Sequence, residues 1–244
     1  MMAATNPPNT AGPHKRIDLR IQFRSERDGK PIIRGTEVVS YDFNDDGSII
    51  FRATSRSDSP QVTRDVVYTL APNYRPRDAF VRLQVDGRYE GAGWFRFQDG
   101  LILSTTQNHQ SGGGGGGFKI DGTVTSFCAH PVSTDVLVAA AYEHAGPKRQ
   151  TPKNMFLSSP DPFGRTGPVL AESKVALEYV GREALETPAG GFLADHYLLF
   201  STPDAAEPLE DLWAMPDTFA FLQARALGVY NTTYELAEFR AELR

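Results

Sequence analysis

The segment from Ser173 to Phe239 constrains the fold most, because it predicts four consecutive strands with the turns between them. Apolar and polar residues alternate along it, the period of a strand with one covered face. Thr187-Pro188-Ala189-Gly190 predicts one of these turns, because Pro188 restricts φ and Gly190 has no Cβ to hinder a tight bend. The segment therefore predicts an antiparallel meander that curls over an apolar interior.

The amino-terminal part of the chain continues the strand pattern. From Arg16 to Ser25 the apolar residues Ile17, Leu19, Ile21 and Phe23 alternate with polar ones. This alternation predicts a half-buried strand with one face toward water. Further strands are predicted up to residue 127, separated by short polar turns.

The clearest predicted hairpin joins AFVRLQV to RYEGAGWFRF through Asp86-Gly87. An Asp-Gly pair is typical of the two-residue type I′ turn, because both central residues need positive φ. Gly91 and Gly93 inside the second strand indicate a bulge or sharp bend, which helps a sheet to curl.

Three segments lack a strand pattern. Residues 1–15 are predicted to form a disordered tail. The run Gly112–Gly117 is predicted to be a flexible hairpin tip, since glycine has little preference for regular structure. Residues 145–169 are rich in proline and predict a long excursion within a single β-barrel-like domain of residues 16–244. Whether that excursion is a lid or a plain connection is left open.

One helix is predicted, from Thr134 to His144, because this stretch is rich in alanine and ends at Gly146-Pro147. With the strands, it predicts an all-β fold: a strongly curved antiparallel sheet or open, lipocalin-like barrel of about ten to thirteen strands, capped by one short helix.

Composition excludes several classes of function. The net charge is −5, so a general nucleic-acid surface is not expected. Cys128 is the only cysteine, which excludes an intramolecular disulfide and a cysteine-based metal site. No phosphate-binding loop, nucleotide fingerprint or G-x-S-x-G elbow occurs, and the five histidines form no metal-binding motif. We therefore predict neither a cofactor nor a metal.

No stretch of the sequence has the roughly 20 apolar residues that span a bilayer. The amino terminus has no apolar core of a secretion signal, so a cytoplasmic location is expected.

The carboxy-terminal meander carries a resemblance to a known family. The residues that carry it are Val180-Gly181-Arg182-Glu183, Thr187-Pro188-Ala189-Gly190, Phe192, His196, Leu212-Trp213, Pro216-Asp217 and Tyr234-Glu235-Leu236. In these the chain resembles an uncharacterised bacterial β-protein family whose fold is like that of the lipoprotein-localisation factors and, more loosely, the lipocalins. The resemblance implies a curved sheet around a cavity and no particular chemistry.

His130 is the first candidate catalytic residue. It lies between a predicted strand and the helix, at the rim of any cavity that the helix closes. A histidine there can exchange protons near neutral pH, although it can equally be held by loop backbone. Asp135 could orient its imidazole or contact substrate; alternatively, it is an acid of the helix's first turn, which the helix dipole favours.

His196 and Tyr142 are the other candidate catalytic residues. His196 lies mid-strand on an otherwise apolar face, where it is either an acid or base in a pocket or a hydrogen-bonded core histidine. Tyr142 on the predicted helix could stabilise a developing oxyanion or phenolate charge.

Tyr89, Trp94 and Arg96 on the glycine-bent strand are candidate substrate-binding residues. Trp94 and Arg96 share a face, and Tyr89 joins them if a bulge shifts the register. An aromatic ring with a guanidinium suits a planar or anionic ligand; ordinary packing is the alternative.

These observations lead to competing functional hypotheses. In the first, the protein is a cofactor-independent lyase, dehydratase or isomerase that uses acid–base catalysis on a small hydrophobic, aromatic molecule, as in the catabolism of aromatic compounds. In the second, it is a non-catalytic carrier of a hydrophobic compound. A third is a scaffold whose own side chains fill the cavity. The expected partner is a hydrophobic or aromatic small molecule, without nucleic acid or membrane span, and homo-oligomerisation is left open.

Overall fold

The computed structural model describes residues 14–58, 60–109, 112–227 and 232–243, which form seventeen strands, one α-helix and one 3-10 turn. The strands are β1 (His14–Arg27), β2 (Lys30–Phe43), β3 (Ile49–Asp58), β4 (Gln61–Leu70), β5 (Pro76–Val85), β6 (Arg88–Gln98), β7 (Leu101–Asn108), β8 (Gly112–Lys119), β9 (Ser126–Cys128), β10 (Arg149–Gln150), β11 (Met155–Leu157), β12 (Ala171–Glu172), β13 (Ala176–Thr187), β14 (Gly190–Phe200), β15 (Glu210–Ala214), β16 (Phe221–Ala226) and β17 (Thr232–Leu243). The helix α1 spans Val132–Val138 and continues as the 3-10 turn Ala139–Ala141.

Fourteen of these strands form one antiparallel sheet in the spatial order β10-β13-β14-β15-β16-β17-β1-β2-β3-β4-β5-β6-β7-β8. The first and last long strands of the chain, β1 and β17, pair at its centre, with Leu19 opposite Phe239. The sheet is strongly curved but not closed, and β10 and β8 form its two edges. The predicted all-β fold with one short helix is therefore confirmed.

The alternation predicted for β1 is confirmed, because Ile17, Leu19, Ile21 and Phe23 are all buried on the concave side. The hairpin between β5 and β6 also has the predicted turn: Asp86 and Gly87 have φ of 50° and 72°. A bulge follows in β6, where the register shifts between Leu83 and Gln84 of the partner strand. Together these features curl the sheet toward its apolar face.

A continuous row of aromatic side chains fills one end of the concave side. Tyr41, Phe51, Tyr68, Phe127 and Phe95 follow one another with ring centroids 5.1, 5.4, 5.6 and 5.1 Å apart. Such tilted and edge-on ring pairs are favourable beyond the area that they bury. This end of the interior is packed solid, which places any cavity toward the other end of the same strands.

The helix lies on the concave side of the sheet, against β9, β15 and β16. It begins two residues before the predicted start at Thr134. It also ends before the predicted His144, because the backbone of Tyr142 is already extended. Both oxygens of the Glu37 carboxylate, on β2, accept hydrogen bonds at its start, from the backbone N–H groups of Val132 and Ser133 at 3.1 Å each. A cap from a distant strand is not visible in the local sequence, which explains the difference.

Several other expectations need correction. The predicted four strands of the meander are five, β13 to β17, and the main sheet has fourteen strands where about ten to thirteen were expected. The run Gly112–Gly117 is part of strand β8, paired with β7 along its length, and is not a hairpin tip. Backbone pairing with β7 supplies the order that glycine side chains cannot. Of the predicted tail, residues 1–13 lie outside the described residues, and 14–15 belong to β1.

The proline-rich excursion of residues 145–169 packs against the rest of the fold. It contains the short strands β10 and β11, and β11 pairs with β9 and β12 in a separate three-stranded sheet. Ser158 donates its N–H to the carbonyl of Cys128 at 3.0 Å. The excursion thus forms one wall of the interior beside α1. None of the described helices is long and apolar enough to cross a membrane.

Candidate ligand-binding cavity

A partly open cavity of about 580 Å³ lies at the end of the concave side opposite the aromatic row. Its walls come from β1–β4, from β14–β17, from α1 and from the segment between β11 and β13. Small-molecule sites in proteins have volumes of about 300–1,000 Å³. The cavity is therefore large enough for one small organic molecule.

The mouth of the cavity carries exposed apolar side chains. Phe163, Leu209 and Leu227 line the cavity and are 42%, 48% and 39% exposed. Deeper inside, the lining includes buried apolar residues such as Val62, with Val132 on α1. Most of the cavity surface is therefore apolar and would favour an apolar ligand.

Arg64 is the most buried of the cations that line the cavity, which also include the partly buried Arg34. It lies on the inner side of β4, in phase with the buried Val62 and Val66, and is only 7% exposed. Its Nη2 donates to the carbonyl oxygen of Phe163, whereas its buried Nε has no hydrogen-bond partner within the described ranges. Burial lowers the pKa of Arg64 to about 10, so the guanidinium still carries its charge at neutral pH.

His130 also lines the cavity. Its φ of 71° lies in the left-handed region, and its ring packs on Gly164, where an added Cβ would lie 2.5 Å from His130 Cγ. Its Nε2 is buried and has no hydrogen-bond partner in the described part of the chain. Burial, followed by the charge of Arg64, lowers the pKa of His130 to about 4, so the imidazole is neutral at pH 7.

Asp135 on α1 is partly buried and forms a hydrogen-bonded pair with the buried Cys128. The thiol donates to Asp135 Oδ1 at 2.8 Å, and Cys128 Sγ also lies 3.2 Å from Thr134 Oγ1. Burial raises the pKa of Asp135 to about 7, the thiol hydrogen bond lowers it, and the charge of Glu37 raises it. Burial also raises the pKa of Cys128 well above its ordinary value, so the thiol is not an activated nucleophile.

Glu210 adds a second acid to the wall, from the start of β15. Burial raises its pKa well above the ordinary value, and the negative charges of Asp135 and Asp211 raise it further. Both carboxyl groups therefore resist ionisation more than exposed ones do, whereas the guanidinium groups of Arg64 and Arg34 in the same wall keep their charge.

His196 does not line the cavity. Its ring stacks on Trp213 with 4.3 Å between centroids, Nδ1 lies 3.4 Å from Glu183 Oε1, and Nε2 lies 3.3 Å from Asp211 Oδ1. The structure therefore does not bring His196 together with His130. Its side chain has partners of its own, and its catalytic role stays a prediction without support from the cavity.

Tyr142 follows the 3-10 turn and also lies outside the cavity lining. Its hydroxyl donates to the carbonyl oxygen of Lys148 at 2.9 Å, and its ring contacts Tyr179 and Tyr197 with centroids 6.2 and 6.0 Å away. The tyrosine belongs to an aromatic cluster behind the helix.

Trp94 and Arg96 share a face, as predicted, but they line a separate groove of about 380 Å³ over β6, β7 and β8. Arg96 lies over the Trp94 ring at 5.4 Å, and Trp94 is 46% exposed. Tyr89 is exposed and lines neither this groove nor the cavity. Of the seven predicted site residues, the structure brings only His130 and Asp135 to the cavity.

Sequence reasoning missed Arg64 and Glu37, although each leaves a signal. Arg64 continues the apolar phase of Val62 and Val66, and Glu37 shares the phase of Val39. A charged residue on the same strand face as buried apolar residues indicates either that the face is exposed to solvent or that the interior contains a polar site. Here it marks the polar part of the interior.

No group of three or more His, Cys, Asp or Glu side chains in the described part of the chain is placed to hold a metal ion. The unpartnered polar atoms in residues of the wall are instead nitrogen atoms of Arg64 and His130, which suit an organic ligand.

The sequence matches no protein-family model, and no curated protein matches it. Among solved structures, the chain is similar to a β-barrel-like protein of the domain of unknown function DUF1849 from Brucella abortus, at 12% identity and a TM-score of 0.55, over 95% of this chain and 100% of the other. It is also similar to a protein from Bacteroides fragilis with a YmcC-like fold, at 10% identity and a TM-score of 0.31, over 94% and 97% of the two chains. The first likeness shows that the chain has the fold of a bacterial β-barrel-like protein of unknown function.

Proposed function

We propose that the protein is a binding protein, or carrier, for a small and largely apolar molecule held in the cavity beside α1. The observation that carries the proposal is the cavity itself: about 580 Å³, walled mainly by apolar side chains and entered past the exposed Phe163, Leu209 and Leu227. Apolar surface at the mouth of a cavity costs solvation free energy, which a bound apolar molecule would recover. A lipocalin-like mode of action, in which a curved sheet encloses its ligand, is part of this proposal.

The test is a fluorescence titration with the neutral apolar probe N-phenyl-1-naphthylamine. Ala226 lines the cavity, so Ala226→Trp would occupy part of its volume. Leu193 on β14 is exposed and outside the lining, which makes Leu193→Trp the matched control. We expect saturable probe binding by the wild type and Leu193→Trp, and weaker binding by Ala226→Trp. Binding that is absent from the wild type, or equal in all three folded proteins, would reject the proposal.

A cofactor-independent acid–base enzyme is the second candidate, because Asp135 places a carboxyl group in the cavity wall with its pKa raised to about 7. An acid or base works best when its pKa lies near the operating pH. In this version Asp135 and His130 face the substrate, and His196 takes no part.

Deuterium exchange distinguishes the two candidates. Aromatic and hydrophobic carbonyl compounds are incubated with the protein in D2O, and NMR follows the loss of carbon-bound protons. Exchange that disappears in Asp135→Asn would favour the enzyme. Compounds that displace the probe without exchanging favour the carrier.

A further inference from the structure

We propose that the ligand of the cavity is an amphiphile with a single anionic head group, a carboxylate in its simplest form, which binds to Arg64 while its apolar part lies against the remaining wall. This inference rests on the proposed binding function and specifies the chemical class of the ligand.

Arg64 is a buried cation that makes no ion pair with the described residues, and the buried Glu37 carboxylate acts on it only from a longer distance. No carboxylate oxygen of the described residues lies within 4.0 Å of its guanidinium, and its one hydrogen bond goes to the neutral carbonyl of Phe163. Burying a charge is costly unless the charge is paired and hydrogen-bonded. Among the residues that the structure describes, the Nε of Arg64 has no hydrogen-bond partner. The side chain therefore retains hydrogen-bonding capacity that a carboxylate, which accepts two parallel N–H bonds from a guanidinium, can use.

The acids around Arg64 are already engaged elsewhere. Glu37 accepts the backbone N–H groups at the start of α1. Asp161 accepts the backbone N–H of Phe163 at 3.1 Å and the Nε of Arg165 at 3.2 Å. Asp135 accepts the thiol of Cys128 at 2.8 Å. Because each of these carboxylates has its own donors, the charge of Arg64 is left for a group from outside the chain.

The neutral side chain of His130 limits how much negative charge a ligand of the cavity can carry. It lies close enough to Arg64 for that charge to depress its pKa, so it stays neutral and adds a polar contact without a second positive charge. Lys174 at the cavity is exposed and follows Glu172, which also lines the cavity and is exposed. The other guanidinium of the lining, Arg34, is partly buried and donates to the Thr232 hydroxyl at 3.3 Å. The most buried part of the wall therefore offers the single guanidinium of Arg64, which suits one carboxylate head group.

The experiment compares decanoate, decanol and decylamine, which have equal chains and differ in charge, as competitors of N-phenyl-1-naphthylamine on the wild-type protein. We expect decanoate to displace the probe at a concentration at least about tenfold lower than decanol, since hydrogen bonds to a charged group are the strong ones. Decylamine should be the weakest. If decanol displaces the probe as well as decanoate does, the anionic head group is rejected while the binding function stands. If none of the three displaces it and the probe itself does not bind, the binding function fails.

Variants of Arg64 locate the effect. Arg64→Met removes the charge and keeps an apolar stem, and we expect it to abolish the preference for decanoate without weakening decanol. Arg64→Lys keeps the charge but loses the paired donors, so the preference should be intermediate. Arg82→Met, on the exposed side of β5, is the control and should keep the full preference. A preference that survives in folded Arg64→Met would overturn the assignment, and the wild-type comparison of head groups decides the inference even if that variant does not fold.

Discussion

Glu37 and Ser133, which are 96 positions apart in the sequence, are joined by two hydrogen bonds: the backbone N–H of Ser133 donates to Glu37 Oε1 at 3.1 Å, and the hydroxyl of Ser133 donates to the same oxygen. The carboxylate is fully buried, and burial raises its pKa against the lowering effect of these donors. This contact ties the helix of the cavity wall to β2 of the main sheet.

Removing this carboxylate should loosen the helix. We expect Glu37→Ala to lower the free energy of unfolding by about 3 kcal/mol, because it leaves buried N–H donors without an acceptor. Glu37→Gln keeps one acceptor oxygen and should cost about 1 kcal/mol. Urea denaturation measures both, with Glu207→Ala in an exposed loop as the control. Equal stabilities of Glu37→Ala and Glu207→Ala would contradict the structural role of this contact.

Asp135 should make stability depend on pH. Its carboxyl pKa is raised from 3.8 to about 7, so between these values the unfolded chain releases a proton that the folded chain retains. The folded state therefore loses stability as the pH rises from about 4 to 7, by up to about 4 kcal/mol. Asp135→Asn removes this loss, and its stability should exceed that of the wild type increasingly across the window. The readout is chemical denaturation at several pH values, with the exposed Asp121→Asn as the parallel control. Parallel curves for Asp135→Asn and the wild type would refute the prediction.

His130 should act in the opposite direction. Its pKa is lowered from 6.5 to about 4, so between these values the unfolded chain binds a proton that the folded chain rejects. Stability should fall as the pH decreases from 6.5 to 4, by up to about 3 kcal/mol from this group. Asn tolerates the left-handed backbone at this position, so His130→Asn should remove the loss without adding strain. Thermal unfolding in acid, compared with His109→Asn at an exposed histidine, gives the measurement. A His130→Asn protein as acid-sensitive as the control would show that the imidazole is not buried in this way.

Gly164 should tolerate no side chain. It has φ of 61°, and an added Cβ would lie 2.5 Å from the ring of His130. We expect Gly164→Ala to lower the unfolding free energy by about 2–4 kcal/mol, from backbone strain and overpacking together. Gly122 has φ of 84° and no neighbouring atom within 4 Å, so Gly122→Ala should show the backbone part alone, about 1 kcal/mol. Equal losses in the two variants would mean that the ring of His130 moves aside freely.

The glycine strand β8 should be improved by side chains. Gly114 and Gly116 have no atom within 4 Å of an added Cβ, and neither has a positive φ. Thr favours strands and restricts the unfolded chain, so each Gly→Thr change should stabilise the protein by about 0.5–1 kcal/mol. Gly112 has φ of 72°, and Gly112→Thr should destabilise it. Thermal denaturation of the three variants decides; no difference among them would favour the flexible hairpin tip expected from the sequence.

Local pattern was sufficient to predict much of the fold. The alternation of Ile17, Leu19 and Ile21 shows which face of β1 is buried. Asp86-Gly87 alone defines the turn between β5 and β6. The glycine run could not be predicted in the same way, because the order of β8 comes from its hydrogen bonds to β7 and not from its own side chains.

The candidate site was harder to predict, since it depends on which distant residues meet. Whether His196 faces a cavity or a partner depends on Trp213, which lies opposite it on β15. The polar character of the cavity likewise depends on Arg64, whose carbonyl partner Phe163 lies 99 positions away. Strand phase predicts that Arg64 is buried, but the sequence does not show what it is buried with. His130 and Asp135 were found because His130 lies just before the helix that forms the wall and Asp135 lies on it.

The open order of the main sheet has a consequence for how such a cavity can change. In a closed barrel the number of strands and their shear together set the radius, so an altered interior requires a new circumference. Here β8 and β10 are the two edges of the sheet and do not meet. The curvature of the sheet can therefore increase or decrease through small changes of twist spread over many strand pairs. The volume of the cavity can then change gradually, through substitutions far from its lining and without the gain or loss of a strand.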